Sequence, residues 1–270
     1  MDLSTIKSKL EALNTNNDRE KVDFSKIYWR PETGKQTIRI VPSATNPAFP
    51  FTELKFHYGI AKFPMLSLSN FGKQDPVEDF VKELRKTSDK DNWSLSGKIS
   101  PKTRIFAPVI VRGEEEKGVR LWGFGTTIYK SLLALAEDED IGDYTDVVNG
   151  WDLVVEQAPG TPFATTTVRI KPKQTPLSED SKEVELWLKE QPDPVEVNTE
   201  YDYDFIKGKL KSYLDPTAEE EKEEPAAVQE APKTLTPAKK EAPAEKTDFT
   251  LETKAETSKN TVSKFDELFN

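Results

Sequence analysis

Between Asp91 and Tyr129, basic and aromatic side chains interleave: Trp93, Lys98, Lys102, Thr103, Arg104, Phe106, Arg120, Trp122 and Tyr129. Lys and Arg neutralise phosphates and rings stack on bases, so the combination suits a groove for a single nucleic-acid strand. Arg39 in an earlier alternating run and Phe163 in a turn add one more cation and one more ring. Phosphate contacts give affinity without base choice, so such a groove would read little sequence. Trp29, Trp151 and Phe124 stand amid apolar alternation and are expected in the core. For Trp93, Phe106, Trp122, Tyr129 and Phe163, base contact and core packing both stay open.

Other chemistry is scarce. The chain has no cysteine, which excludes disulfides and thiolate-held metals. His57 is its one histidine, so neither a histidine metal cluster nor a Cys-His pair can form. No P-loop, nucleophile elbow or dinucleotide fingerprint occurs. Asp138 with Asp140, and Asp202 with Asp204, lie in acidic surroundings and read as solvated faces rather than Mg²⁺ ligands. The expectation is a non-catalytic binding protein with no cofactor and no metal. The alternative is an interaction scaffold whose β-barrel and tail gather partners without touching nucleic acid. Whether Arg39, Trp93, Lys102, Arg104 and Phe106 line one groove separates the two.

The elements that would position these residues follow from periodicity. Leu3, Ile6, Leu10 and Leu13 mark a short helix in an N-terminal arm, residues 1–20, too short to be stable until its apolar face finds a partner. Residues 35–42, 51–59, 151–157 and 165–172 alternate as strands, and the aromatic-basic stretch from Trp93 through Phe124 reads as further strands. Residues 76–87, 126–137 and those from about Phe205 read as helices, the first opening on a proline. Short strands with few helices predict a mainly β fold, a small barrel or sandwich, over residues 21–214.

Residues 215–270 are rich in Ala, Pro, Glu, Lys and Thr, and are expected to form a disordered acidic tail. The tail ends in Phe265, Asp266, Glu267, Leu268 and Phe269, which look like a docking peptide for a partner. The net charge is -10, but Lys and Arg outnumber Asp and Glu 22 to 16 over residues 1–130. Over residues 131–214 the ratio is 8 to 18, and over 215–270 it is 8 to 14. Charge acts locally, with a screening length of about 8 Å in physiological salt, so the basic segment keeps its own attraction for polyanions. No apolar run reaches membrane-spanning length and the N-terminus lacks signal-peptide features, which predicts a soluble, cytosolic protein.

The order of these pieces resembles the single-stranded-DNA-binding, helix-destabilising proteins of T4-type bacteriophages. The resemblance rests on Gly34-Lys35-Gln36-Thr37-Ile38-Arg39-Ile40-Val41-Pro42-Ser43, Pro50-Phe51, His57-Tyr58-Gly59, Trp93-Ser94-Leu95 followed by Lys102-Thr103, and Trp122-Gly123-Phe124-Gly125 with Ile128-Tyr129. It implies an oligonucleotide-binding (OB-fold-like) barrel that coats single-stranded DNA in phage replication, recombination and repair, within the host cytoplasm. It also implies self-association through the arm, here Leu3, Ser4, Thr5, Lys7 and Lys9, and recruitment of replication and recombination proteins by the tail. The family carries a structural zinc on one His and three Cys. His57 matches the His, Asp75 and Glu78 stand for two Cys, and the third is lost near Met65. Packing by Phe63, Met65, Leu66, Phe71 and Phe80 is expected to replace the metal.

Overall fold

In the computed structural model of the chain, residues 24–161, 163–215, 261 and 263–269 are described. The expected arm, with Leu3, Ser4, Thr5, Lys7 and Lys9, and tail residues 216–260 lie outside the described residues. The strands are β1 (Tyr28–Trp29), β2 (Gly34–Ile40), β3 (Thr52–His57), β4 (Met65–Leu66), β5 (Lys102–Val111), β6 (Arg120–Phe124), β7 (Trp151–Ala158) and β8 (Thr165–Gln174). The helices are α1 (Phe24–Ile27), α2 (Pro76–Lys86), α3 (Lys90–Ile99), α4 (Thr126–Glu137), α5 (Ser181–Lys189), α6 (Pro194–Val197), α7 (Tyr203–Leu214) and α8 (residues 263–269). The chain divides into two compact units, residues 1–51 with 106–192, and residues 52–105 with 193–270.

The first unit is a mixed sheet in the order β1-β6-β5-β2-β7-β8. β1 runs parallel to β6, whereas β2 pairs antiparallel with β5 and β7, and β7 with β8. No pairing of β8 with β1 closes it among the described residues, so the strand order is open where a barrel was expected. Period-two alternation sends Ile38, Ile40, Val109, Val111, Leu153 and Val155 to the interior. Trp29 and Phe124 join them as expected, and Trp151 is half-buried. Helix α5, capped by the Asp180 carboxylate accepting from the Lys182 N–H, buries Trp187 against Val41, Ile110, Val119 and Leu177.

In the second unit β3 pairs antiparallel with β4, Phe56 opposite Leu66 and His57 opposite Met65. Helix α2 has Pro76 in its first turn and buries Val77, Phe80, Val81 and Leu84 at helical spacing. These pack with Ile60, Met65, Leu68, Ile99, Ile206, Leu210 and Phe265 into one core. The stretch from Trp93 to Ile99, expected as a strand, is helix α3. Asp89 caps it by accepting from the Asp91 N–H, and Asn92, Ser96 and Ile99 face inward at helical spacing. Trp93 and Leu95 only mimic strand alternation, because Trp93 points outward and Leu95 is half-buried.

Candidate nucleic-acid interface

The exposed cations and rings of the second unit gather where α3 hands over to β5. Trp93 is 56% exposed on α3 and Gly97 lies one turn further on the same face. The Lys102 ammonium donates to the Gly97 carbonyl at 3.0 Å, which brings the first cation of β5 against the turn that follows Trp93. Lys102 and Arg104 are both exposed and Thr103 between them is half-buried, so the two cations share a face of β5 about 7 Å apart. Lys98 is exposed at the end of α3. Tyr58, 43% exposed, feels the Arg104 charge, which opposes the upward push of burial on its phenol. Sequence reasoning missed Tyr58 as a ring of this patch, although it directly follows β3 and sits beside His57.

Other expected contacts are not on the surface. Arg39 has no exposed area. Its Nη2 donates to the carbonyls of Thr175 and Asp146 at 2.7 and 2.9 Å, and Nη1 lies 3.4 Å from the Asp152 carboxylate. Arg112 holds the same carboxylate at 2.9 Å, so two guanidiniums share Asp152. Gly150 makes room: a Cβ there would lie 2.4 Å from Arg39 Nη2. Arg39 is therefore an internal cross-brace of the first unit and not a phosphate contact.

Arg120 is likewise buried and paired with Glu114 at 2.6 Å. Trp122 is 1% exposed, edge-on to Trp29 at 5.5 Å and against Phe124 at 4.5 Å. Phe106 is buried against Tyr28. For Arg120, Trp122 and Phe106 burial removes the face that a phosphate or base would need. The five residues expected to line one groove therefore do not do so: Arg39 and Phe106 are interior, whereas Trp93, Lys102 and Arg104 are exposed.

Within the first unit Phe163 is 82% exposed in the β7–β8 connection. Arg169 and Lys173 are exposed along β8, the last strand of the sheet. These two went unnoticed: alternation holds only from Thr165 to Ile170, and Pro172, Lys173 and Gln174 are all exposed at the strand's end. Tyr129 is half-buried edge-on to Phe51 at 5.3 Å, and Phe51 meets the 38%-exposed Phe49 at 5.4 Å. Each unit thus carries an exposed ring and exposed cations of its own.

A family model described as gp32 DNA binding protein like matches residues 32–191. The chain belongs to that family. The resemblance read from its motifs therefore holds, and the gp32-like match takes in Trp93, Lys98, Lys102, Thr103, Arg104 and Phe163. A comparison with curated proteins finds no match. Helices α6, α7 and α8 lie beyond the matched residues. No described helix is long and apolar enough to cross a membrane.

The metal expected of the family can be tested on this gp32-like chain's own donors. His57 has no exposed area, and its Nε2 lies 2.8 Å from the Asp75 carboxylate. The same carboxylate oxygen accepts from the Ser67 hydroxyl and the Leu68 N–H, each at 2.9 Å. Its other oxygen caps α2 by accepting from the N–H groups of Val77 and Glu78. Glu78 in turn accepts from the Ser69 hydroxyl at 2.6 Å and lies 2.9 Å from that of Ser67. Ser67, and not a residue beside Met65 alone, is thus the fourth member of the cluster. Burial pushes the Asp75 carboxyl up, but the His57 hydrogen bond and charge and the Glu78 and Leu68 N–H groups outweigh it and leave it below the ordinary range.

With no thiolate, and with its carboxylates already engaged by donors, this set does not fit a closed structural zinc site. Among the described residues no group of three or more His, Cys, Asp or Glu is arranged to hold a metal. The neighbours expected to substitute for it are present, with Met65, Leu66 and Phe80 buried and Phe63 and Phe71 half-buried. The positions themselves are joined by hydrogen bonds.

Proposed function

We propose that this protein binds and coats single-stranded DNA, largely without sequence preference and without catalysis, in phage replication, recombination and repair. The observation that carries the reading is the patch in which Lys98, Lys102 and Arg104 flank the exposed rings of Trp93 and Tyr58, in a chain of this DNA-binding family. Phe163, Arg169 and Lys173, each exposed on the first unit, would add further ring and phosphate contacts. Kinship to the OB fold is part of the reading, supported by the antiparallel run β5-β2-β7-β8 and by α4 inserted between β6 and β7. Residues 1–20 would join neighbouring copies through Leu3, Ser4, Thr5, Lys7 and Lys9. Residues 215–270 would recruit replication and recombination proteins through Phe265, Asp266, Glu267, Leu268 and Phe269, and residues 21–214 would hold the strand.

The test is a tryptophan-fluorescence titration with oligo(dT) over a range of salt. Affinity should fall steeply with salt, because each phosphate neutralised on a single strand contributes about −0.7 to the log–log slope. Lys102→Ala with Arg104→Ala should shrink that slope by about 1.4 and weaken binding to all sequences alike. A salt-independent quench, or a double variant that binds as tightly as wild type, would refute the assignment.

A further inference from the structure

The segment that the preceding reading gives to partner proteins holds its two rings against the chain's own second unit, with Phe265 buried, Phe269 half-buried, and Glu267 and Leu268 exposed. Helix α8 packs on its own unit: Phe265 is 2% exposed and meets Phe80 of α2 edge-on at 5.8 Å. Phe269, one turn on, meets Phe265 at 4.7 Å and Tyr203 of α7 at 6.5 Å. Two lysines one turn apart on α7 receive its polar side. The Lys207 ammonium lies 5.1 Å over the Phe269 ring and donates to the Phe269 carbonyl at 3.1 Å, while Lys211 stands 3.9 Å from Asp266. An aromatic pair at i and i+4 thus fills an apolar slot, and cations on one wall select an acid beside it.

We infer that the α2–α7 face is a receptor groove for short aromatic–acidic helices, and that its resident occupant is the chain's own residues 263–269. The groove shares no residue with the Trp93, Lys98, Lys102 and Arg104 patch, so docking there leaves that patch open. While α8 is docked, Phe265 and Phe269 are unavailable to any other protein. This second consequence rests on the partner reading above, whereas the groove itself does not.

The chain has no cysteine, so a single engineered pair reports docking cleanly in the full-length protein. Lys211→Cys with Asp266→Cys should form an intramolecular disulfide under mild oxidant. The control pair Lys102→Cys with Asp266→Cys should form it at least tenfold more slowly. Adding Phe265→Ala to the first pair should slow closure at least tenfold. A free peptide of residues 261–270 at roughly 1 mM, comparable with the effective concentration of a tethered segment, should slow it at least twofold. Saturating oligo(dT) should not change the rate. Equal rates for the two pairs, indifference to Phe265→Ala or to the peptide, displacement by oligo(dT), or disulfides only between chains would each overturn the inference. These readouts stand even if single-stranded DNA does not bind at all, in which case the oligo(dT) titration fails and the disulfide result does not.

Discussion

Replacing Asp75 by Asn probes the buried cluster of His57, Ser67, Asp75 and Glu78. The carboxylate serves two sets of donors: one oxygen caps α2 at Val77 and Glu78, and the other gathers His57, Ser67 and Leu68. Asn can keep the cap with its carbonyl oxygen but turns an N–H₂ toward the second set. The Leu68 N–H is then left facing a donor, and the charge-assisted bond from His57 is lost. A buried unsatisfied donor costs about 1–3 kcal/mol and a bond to a charged group contributes about 1.5–3 kcal/mol, which overlap here to roughly 3 kcal/mol. Asp75→Ala also removes the cap, for about 1 kcal/mol more.

Against a domain stability of about 5–15 kcal/mol, either loss is easily measured by urea unfolding. The pH dependence carries a sign. Asp75 has a lowered folded pKa, so its stabilisation is complete above the unfolded value of about 3.9 and fades as pH falls through the folded one. The gap between wild type and Asp75→Asn should therefore narrow as pH falls below about 4. A variant within about 0.5 kcal/mol of wild type, inside ordinary surface-substitution scatter, would refute the account of the cluster.

Three further outcomes follow from the placement of the other residues. Arg39→Met should destabilise the protein by about 3 kcal/mol, through the Asp146 and Thr175 carbonyls left without their donor, yet leave the oligo(dT) affinity of the folded protein within about twofold; a large affinity loss at full stability would return Arg39 to the interface. Trp93→Ala should weaken single-strand binding by about tenfold, in the range of one lost base stack, and remove part of the fluorescence quench; an unchanged titration would mean that Trp93 touches no base. Elemental analysis of the purified protein should find no stoichiometric zinc, and chelator should leave its thermal midpoint unmoved, since a structural zinc would contribute folding energy that chelation forfeits.

How much of this was legible in the sequence depended on whether a residue's neighbours in space were also its neighbours in the chain. Asp75 before Pro76 announced the start of α2, and the alternation of residues 35–41 and 151–157 announced β2 and β7. Arg39 could not be placed this way. Alternation puts it opposite Ile38 and Ile40, the side that ordinarily meets water, and only the approach of Asp146, Asp152 and Thr175 covers it. Ser67 was invisible for a similar reason, because its partners Asp75 and Glu78 lie 8 and 11 residues away. Trp93 to Ile99 reads as strand because its apolar residues Trp93, Leu95 and Ile99 fall at odd positions, while the inward positions Asn92 and Ser96 are polar and hide the helical period. The tail end reads in the sequence as a docking peptide for another protein, and nothing in the chain's order says that Phe80, Tyr203 and Lys207 lie against it.

The positions of the cations also explain how a chain of net charge -10 can present itself to a polyanion. Arg39, Arg112 and Arg120 are each paired with a carboxylate, so they brace the fold and offer little outward field. Lys98, Lys102 and Arg104 stand exposed within a few residues of one another. At a screening length of about 8 Å a phosphate beside Lys102 responds to those cations and hardly to acids farther off in the chain. Lowering the salt lengthens that reach to about 30 Å at 0.01 M, where remote acids begin to count against the same phosphate. The salt dependence of binding should therefore be steepest near physiological ionic strength and flatten toward low salt. A log–log plot that stays linear throughout would show that the remote acids exert no field at the patch.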